Sequence, residues 1–439
     1  MAQGNHTLME AVHQLVLVGD HQHRDAHFAH PLQQLHHFQT QLRVNVAGGL
    51  VRDDQLGVMH QRTRHSHTLL LAAGKGIRVA LGLILQMHQL QNVLHAGTDE
   101  SIFFAFVCAM PLLQSDYKAP RWLPGAHLQT IVPARFFPRP DVQYRREIVD
   151  MPDGDFIVLD WSEPEPMELN APVLVHFHGL EGDSHSHYAE ALMHECVKCG
   201  WRGVVAHFRG CGGLPNRLPR AYFAGDSDDC DWILRTVHER FITAPIYAVG
   251  VSLGGNYIAK YMGERPQEAS FLTAAVSIGA PVDLVAGSEI MSRGANKLYE
   301  EMFLSTLKEK LIDKAKRFPD LIDINKVKSC KTLYDFDSVY TAPIHHFKSA
   351  MEYWTLCSAK RYLKNVTRPL LLLNAKNDPF LPRWALPTEK DVSDCVYLEQ
   401  PEEGGHIGFP RGNPPGDLGY LPERVMRFFS AFEPKIESV

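Results

Sequence analysis

One stretch limits what this chain can fold into more than any other: Ala244-Pro-Ile-Tyr-Ala-Val-Gly-Val-Ser-Leu-Gly-Gly-Asn-Tyr-Ile-Ala-Lys260. The apolar run Ile246–Val249 reads as a buried strand, and Asn256–Met262 reads as the start of a helix. Gly250-Val-Ser-Leu-Gly254 therefore has to turn the chain sharply between them, which is G-x-S-x-G in a strand-turn-helix setting. A side chain at so tight a turn is forced into a strained backbone conformation. Gly250 and Gly254 flank it where a Cβ would collide with the neighbouring strand or helix. The turn lifts the Ser252 hydroxyl out of the sheet, at the positive end of a helix whose free N–H groups can hold an oxyanion. The bland alternative is a Gly-rich loop that only packs.

The rest of the chain supplies the frame such a turn needs. Arg145–Val149 and Phe156–Trp161 flank the turn signal Met151-Pro-Asp-Gly154 and read as an antiparallel hairpin. Strand and helix patterns then alternate. Val173–Phe177, Gly203–Phe208, Leu272–Ile278, Leu370–Leu373 and Val396–Leu398 read as strands, Tyr188–Lys198 and Asp226–Phe241 as helices. Asp226, Asp228 and Asp229 fall in the first turn of the second helix, where the macrodipole favours acids. The expected fold is an eight-stranded, mostly parallel, doubly wound α/β sheet. Trp122-Leu-Pro-Gly-Ala-His-Leu-Gln-Thr130 reads as a Pro-punctuated segment packing across the domain. Between Pro281 and Arg368 no run resembles a strand, while Leu298, Met302, Phe303, Leu307 and Leu311 share one helical face. A helical cap over about 285–367, covering a hydrophobic acyl site, is the expectation there.

A serine hydroxyl is a poor nucleophile until a base takes its proton, and an acid must hold that base in the right tautomer. In this kind of sheet the order along the chain is serine, acid, histidine. Asp378 follows the wholly apolar Leu370–Leu373, and His406 sits in Glu403-Gly-Gly-His-Ile-Gly408 after the final strand. Asp283 is the second candidate acid, and His345 and His346 are fallback bases that break the expected order. Asn377-Asp378-Pro379 also reads as an Asx turn with a purely structural purpose. The oxyanion donors expected are the backbone N–H of Leu253, directly after the serine, and that of Leu180 in His178-Gly-Leu-Glu-Gly182. His176-Phe-His178 and His185-Ser-His187 raise a metal reading. Leu180 and Glu181 stand where the H-x-H-x-D-H pattern of binuclear zinc hydrolases needs Asp and His, so that motif fails.

These residues resemble the α/β-hydrolase superfamily, through Gly250-Val-Ser-Leu-Gly-Gly255, His178-Gly-Leu-Glu-Gly182, Asp378 and His406. Trp122–Thr130, His207-Phe-Arg-Gly-Cys-Gly-Gly213 and Gly225-Asp-Ser-Asp-Asp229 narrow the resemblance to the AB hydrolase 4 family, from about Met110 onward. It implies a serine-type carboxylic ester hydrolase with Ser252, Asp378 and His406 as the charge-relay set and no cofactor. The substrate expected is a small-molecule or lipid-like acyl ester of short to medium chain length. An acyltransferase or thioesterase would use the same machinery, and a non-catalytic binding module on the same fold would ordinarily have lost one of the three residues.

Composition excludes other classes. With 439 residues, 45% hydrophobic, 21% charged and a net charge of −6, the chain carries no basic field to recruit nucleic acid. Its longest apolar run, Ile102–Leu113, is too short to span a bilayer and is interrupted by Pro111. Cys196-Val-Lys-Cys199 lacks a second pair for a structural zinc, and the 8 Cys form no even framework. A cytoplasmic protein with reduced thiols is the expectation. Residues 1–109 stand apart, holding about half of the 24 His, many Gln and a single Pro, Pro31. They read as a His/Gln-rich extension with one helix-like stretch, Val79–Val93, and three readings are open: a metal-binding extension, a disordered appendage, or translation from upstream of a functional start at Met110, the last being favoured.

Overall fold

The computed structural model describes residues 112–433. The expectations for residues 1–109, including the stretch Val79–Val93 and the start at Met110, fall outside them.

Apolar runs without alternation become strands buried on both faces, as parallel sheets demand. The strands are β1 (Leu112–Leu113), β2 (Arg145–Asp150), β3 (Phe156–Ser162), β4 (Val173–Phe177), β5 (Arg202–Ala206), β6 (Ile246–Val251), β7 (Leu272–Ile278), β8 (Leu370–Leu373) and β9 (Val396–Glu399). They form one sheet in the order β1-β9-β8-β7-β6-β4-β5-β3-β2. β3 runs antiparallel to its neighbours β2 and β5, and every other pairing is parallel. Eight of these strands stand where the sequence places them. The ninth, β1, is a correction to the expected count: two residues carry no periodicity, and only the register of Leu112 against Leu398 makes them a strand.

The helices that matter for the site are α1 (Ala126–Phe136), α2 (His187–Lys198), α3 (Ser227–Arg240), α4 (Leu253–Glu264), α5 (Leu284–Met291), α6 (Lys297–Arg317), α7 (Ala350–Cys357) and α8 (Tyr420–Ser430). Side chains alternate across each strand and so feed two layers. Val173, Val175 and Phe177 pack with Ile233, Leu234 and Val237 of α3 and Ile258 and Tyr261 of α4. On the other face Leu174, Tyr247 and Val249 pack with Leu192 and Met193 of α2 and Val425 and Phe429 of α8. α3 opens as its acids predict, with the Asp226 side chain accepting from Asp229 N at 3.2 Å.

β4 lies between β5 and β6, so the connections leaving it and returning past it diverge at its carboxyl end. That divergence opens the crevice in which such sheets place their ligands. Phe177 and Gly250 stand in register there, which brings the loop after β4 beside the turn after β6.

Residues 284–367, called the cap below, contain helices and no strand, with a small core of their own around Leu304, Leu311, Ala315, Ile322, Phe336 and Tyr340. α6 is fastened to the body by Lys314 Nζ, which donates to Asn216 Oδ1 at 2.6 Å and Arg220 O at 2.7 Å, and by Arg317 Nη1 to Asn216 O at 2.8 Å. The apolar stripe read on α6 is corrected in part. Leu311 is buried, but Leu298 is 70% exposed and Met302 43%. The buried face runs through Glu300, Leu304, Leu311 and Ala315, and Leu298 and Met302 lie on the far side of the helix from it.

Candidate active site

β6 ends at Val251 and α4 begins at Leu253, so Ser252 alone makes the turn, at φ 55° and ψ −118°. That conformation is expensive for an L-residue and persists only because its surroundings over-determine it. Ser252 N donates to Ile278 O at 2.8 Å, which ties the turn to β7. The flanking glycines are sterically required. A Cβ on Gly250 would lie 2.0 Å from Gly254 O, and one on Gly254 would lie 2.2 Å from Phe177 O.

Asp378 and His406 arrive at this serine from the ends of β8 and β9. His406 Nε2 lies 2.8 Å from Ser252 Oγ. His406 Nδ1 lies 2.9 Å from Asp378 Oδ2 and 3.1 Å from Oδ1. Nδ1–H donating to the carboxylate leaves the Nε2 lone pair free to accept the serine proton. Both side chains are buried, and the Phe380 ring stacks 4.0 Å from the imidazole. The Asx turn read at Asp378 coexists with this arrangement, because Oδ1 also accepts from Phe380 N at 2.7 Å. Two of the other candidates are engaged elsewhere. Asp283 caps α5, accepting from Ala286 N at 3.1 Å, and the His345 ring of the cap packs 4.4 Å from Phe223 of the body. His346 holds a left-handed backbone at φ 62°.

What the sequence did not give up is how the acid and base loops are held. Trp122–Thr130 drew notice as a motif, yet its purpose lies in α1. Gln129 is fully buried; its Oε1 accepts from Gly404 N and Asn377 Nδ2, each at 2.9 Å, and its Nε2 donates to Leu123 O at 2.9 Å and Glu403 Oε1 at 3.2 Å. Thr130 Oγ1 accepts from His406 N at 2.9 Å. One side chain thus grips the residue before Asp378 and the loop that carries His406. The available signal was two polar residues side by side in a Pro-flanked, Trp-bearing segment.

The two expected oxyanion donors, Leu253 and Leu180, line the same cavity as Ser252. Leu253 is the first residue of α4, so its N–H has no acceptor one turn back. Leu180 sits in the turn closed by Gly182 N donating to Gly179 O at 3.0 Å, and a Cβ on Gly179 would lie 3.3 Å from Ser252 Cβ. Gly179 N donates to Tyr188 Oη at 2.9 Å and Glu181 N to Tyr222 Oη at 3.1 Å. His178 braces the loop from behind. Its Nδ1–H donates to Gly179 O at 2.7 Å while Nε2 accepts from Phe208 N at 3.1 Å. Burial holds this imidazole well below its ordinary pKa, so it stays neutral. Among the described residues no three His, Cys, Asp or Glu side chains gather as a metal site would require.

Ser252, Leu253 and Leu180 open onto a cavity of about 720 Å³ between sheet and cap. Its apolar walls include Leu284, Met291, Phe303, Leu307, Trp354 and Phe380; Lys310 and Lys314 of α6 line a more polar side. Met302 is not among the lining residues.

A strained serine at a strand-to-helix turn, with acid and histidine from the last two strands of a doubly wound sheet, defines a class. The family described as "alpha/beta hydrolase fold" matches residues 172–412. The chain therefore belongs to the α/β-hydrolase superfamily, in its AB hydrolase 4 branch. It is 38% identical to a protein of Escherichia coli named "Putative esterase YheT", over 66% of this chain and 86% of that protein. It is 30% identical to the phospholipase ABHD3 of Mus musculus, over 82% of this chain and 89% of the relative. The embryogenesis-associated protein EMB8 of Picea glauca is 31% identical over 77% and 76% respectively. Among the described residues no helix is long and apolar enough to cross a membrane.

Proposed function

We propose that this protein hydrolyses carboxylic esters through an acyl-enzyme formed on Ser252. The observation that carries the reading is the continuous path Ser252 Oγ, His406 Nε2, His406 Nδ1 and Asp378, with contacts of 2.8 and 2.9 Å. His406 takes the serine proton as Oγ attacks the ester carbonyl, and Asp378 stabilises the imidazolium that results. The carbonyl oxygen becomes an oxyanion held by the N–H groups of Leu253 and Leu180. His406 then returns the proton to the departing alkoxide. Water, activated by the same histidine, releases the acid and restores the serine. No metal or cofactor enters these steps.

The apolar cavity beside the serine favours an acyl ester substrate of short to medium chain length. Two relatives bear the names of an esterase and a phospholipase, which supports an ester or lipid-like substrate for this chain. Ser252, Leu253 and Leu180 all line this cavity, so an ester bound there would meet the proposed nucleophile and oxyanion donors.

A fluorophosphonate probe tests the reading, since it modifies only a serine that is activated. We expect one adduct, on Ser252, and hydrolysis of p-nitrophenyl esters that falls on the order of 10⁶-fold in Ser252→Ala. Folded protein that takes no label at Ser252 would refute it.

A further inference from the structure

We infer that Lys310, reaching from the cap helix α6 to Glu181, is a positioning residue for the oxyanion loop, which takes its working shape only while the cap is seated. The inference rests on the ester-hydrolase reading above, in which Leu180 N–H is one oxyanion donor.

Glu181 directly follows Leu180 and adopts a left-handed backbone at φ 57°, a position at which a turn ordinarily calls for glycine. An L-residue does not rest there unaided, so something holds it. Three contacts do. Tyr222 Oη donates to Glu181 Oε1 at 2.8 Å and accepts from Glu181 N at 3.1 Å, while Lys310 Nζ stands 3.0 Å from Oε2. The Glu181 side chain is only 7% exposed, so the lysine that faces it is the cation offsetting the cost of burying it. Cys211 Sγ also lies 3.5 Å from Nζ, but burial pushes that thiol up to about 12 and keeps it neutral. Glu181 is therefore the carboxylate that Lys310 answers.

The pair spans two bodies that otherwise meet elsewhere. Lys314, Arg317 and Tyr340 fasten the cap to residues 216–220, the last through its hydroxyl to Pro219 O at 2.6 Å. The cap is thus seated without Lys310, and the lysine adds something else. It joins the position of α6 to the backbone of the turn that presents Leu180. A displacement of about 1 Å in a group that stabilises a developing charge costs on the order of 10²-fold in rate, so a modest slackening of this turn is felt in turnover.

The test compares wild type with Lys310→Met, Glu181→Gln, the double variant, Lys310→Arg, and Lys316→Met as an exposed control on the same helix. Steady-state kinetics on p-nitrophenyl butyrate are read alongside inhibition by a trifluoromethyl ketone, whose adduct places an oxyanion where the donors point. In Lys310→Met we expect kcat to fall about 10- to 100-fold with KM within about twofold, and ketone affinity to fall by the same factor as kcat. Lys310→Arg restores most of the loss, and the double variant is no worse than Lys310→Met. Unchanged kcat in folded Lys310→Met, or a loss confined to KM with ketone affinity intact, overturns the inference. Should Glu181→Gln fail to fold, the half-exposed Lys310 still carries the test. Fluorophosphonate labelling separates the two levels: no adduct on wild-type Ser252 defeats the hydrolase reading itself. A labelled wild type with a kinetically silent Lys310→Met defeats only the positioning role.

Discussion

Gln129→Met is the sharpest test of how the catalytic loops are held. The substitution keeps the length and approximate volume of the side chain, so it opens little cavity, but it removes every hydrogen bond that side chain makes. Glu403 can turn back to water. Leu123 O, Gly404 N–H and the Asn377 amide are left without their partner beneath α1. At about 1 kcal/mol for each stranded group, the variant should lose about 3 kcal/mol of stability, read as a lowered urea midpoint with unchanged slope. Thr130→Val strands only His406 N–H and should lose about 1 kcal/mol. Activity should fall further than stability alone explains, because Gly404 lies two residues before His406 and Asn377 one before Asp378. We expect kcat on p-nitrophenyl butyrate to drop about 10- to 100-fold in Gln129→Met under conditions where the protein is fully folded. A folded Gln129→Met with kcat within about twofold of wild type would show that α1 packs against the loops without aligning them.

Two further expectations concern the cap. Phe303→Ala should shift the preferred acyl length of p-nitrophenyl esters by about 1–3 kcal/mol in relative kcat/KM, while Met302→Ala leaves the profile unchanged; matching profiles in both would remove Phe303 from the acyl site. Burial pushes the Asp337 carboxyl up to about 6, against hydrogen bonds from Thr341 and Trp354 that pull it down. The folded state then binds more protons than the unfolded state between about pH 4 and 6, so this group's contribution to stability declines as pH rises through that window. Wild type should therefore lose on the order of 1–3 kcal/mol relative to Asp337→Asn between pH 4 and pH 7, and parallel stability curves would contradict the assignment.

The central strands of the sheet were legible because they are buried on both faces and read as largely apolar runs, while β2, mostly exposed, was read from the Pro-Asp-Gly turn beside it. Leu370–Leu373 and Ile246–Val249 could scarcely be anything else. The site was legible for a related reason: Ser252, Asp378 and His406 each stand just beyond such a run, where a polar side chain has no packing purpose. Harder to read were features that depend on distant partners. β1 exists only because Val396–Glu399 offers an edge to pair with. α1 hides behind Pro133 and carries no apolar stripe, since its working face is Gln129 and Thr130. On α6 the stripe was read too wide: at about 100° per residue Leu298 and Met302 fall on the far side of the helix from Leu304 and Leu311. Leu298 and Met302 therefore point outward while Leu311 is buried. The ion pair between Glu181 and Lys310 joins positions 129 residues apart in two different bodies, and no local pattern announces it.

α1 has one more consequence, for the order in which the protein is made. Gln129 and Thr130 leave the ribosome among the first of the described residues, while the partners they grip, from Asn377 to His406, are among the last. During synthesis Ser252 emerges long before His406, the base proposed to activate it. On the proposed reading, the triad is complete only when the two ends of the fold have met.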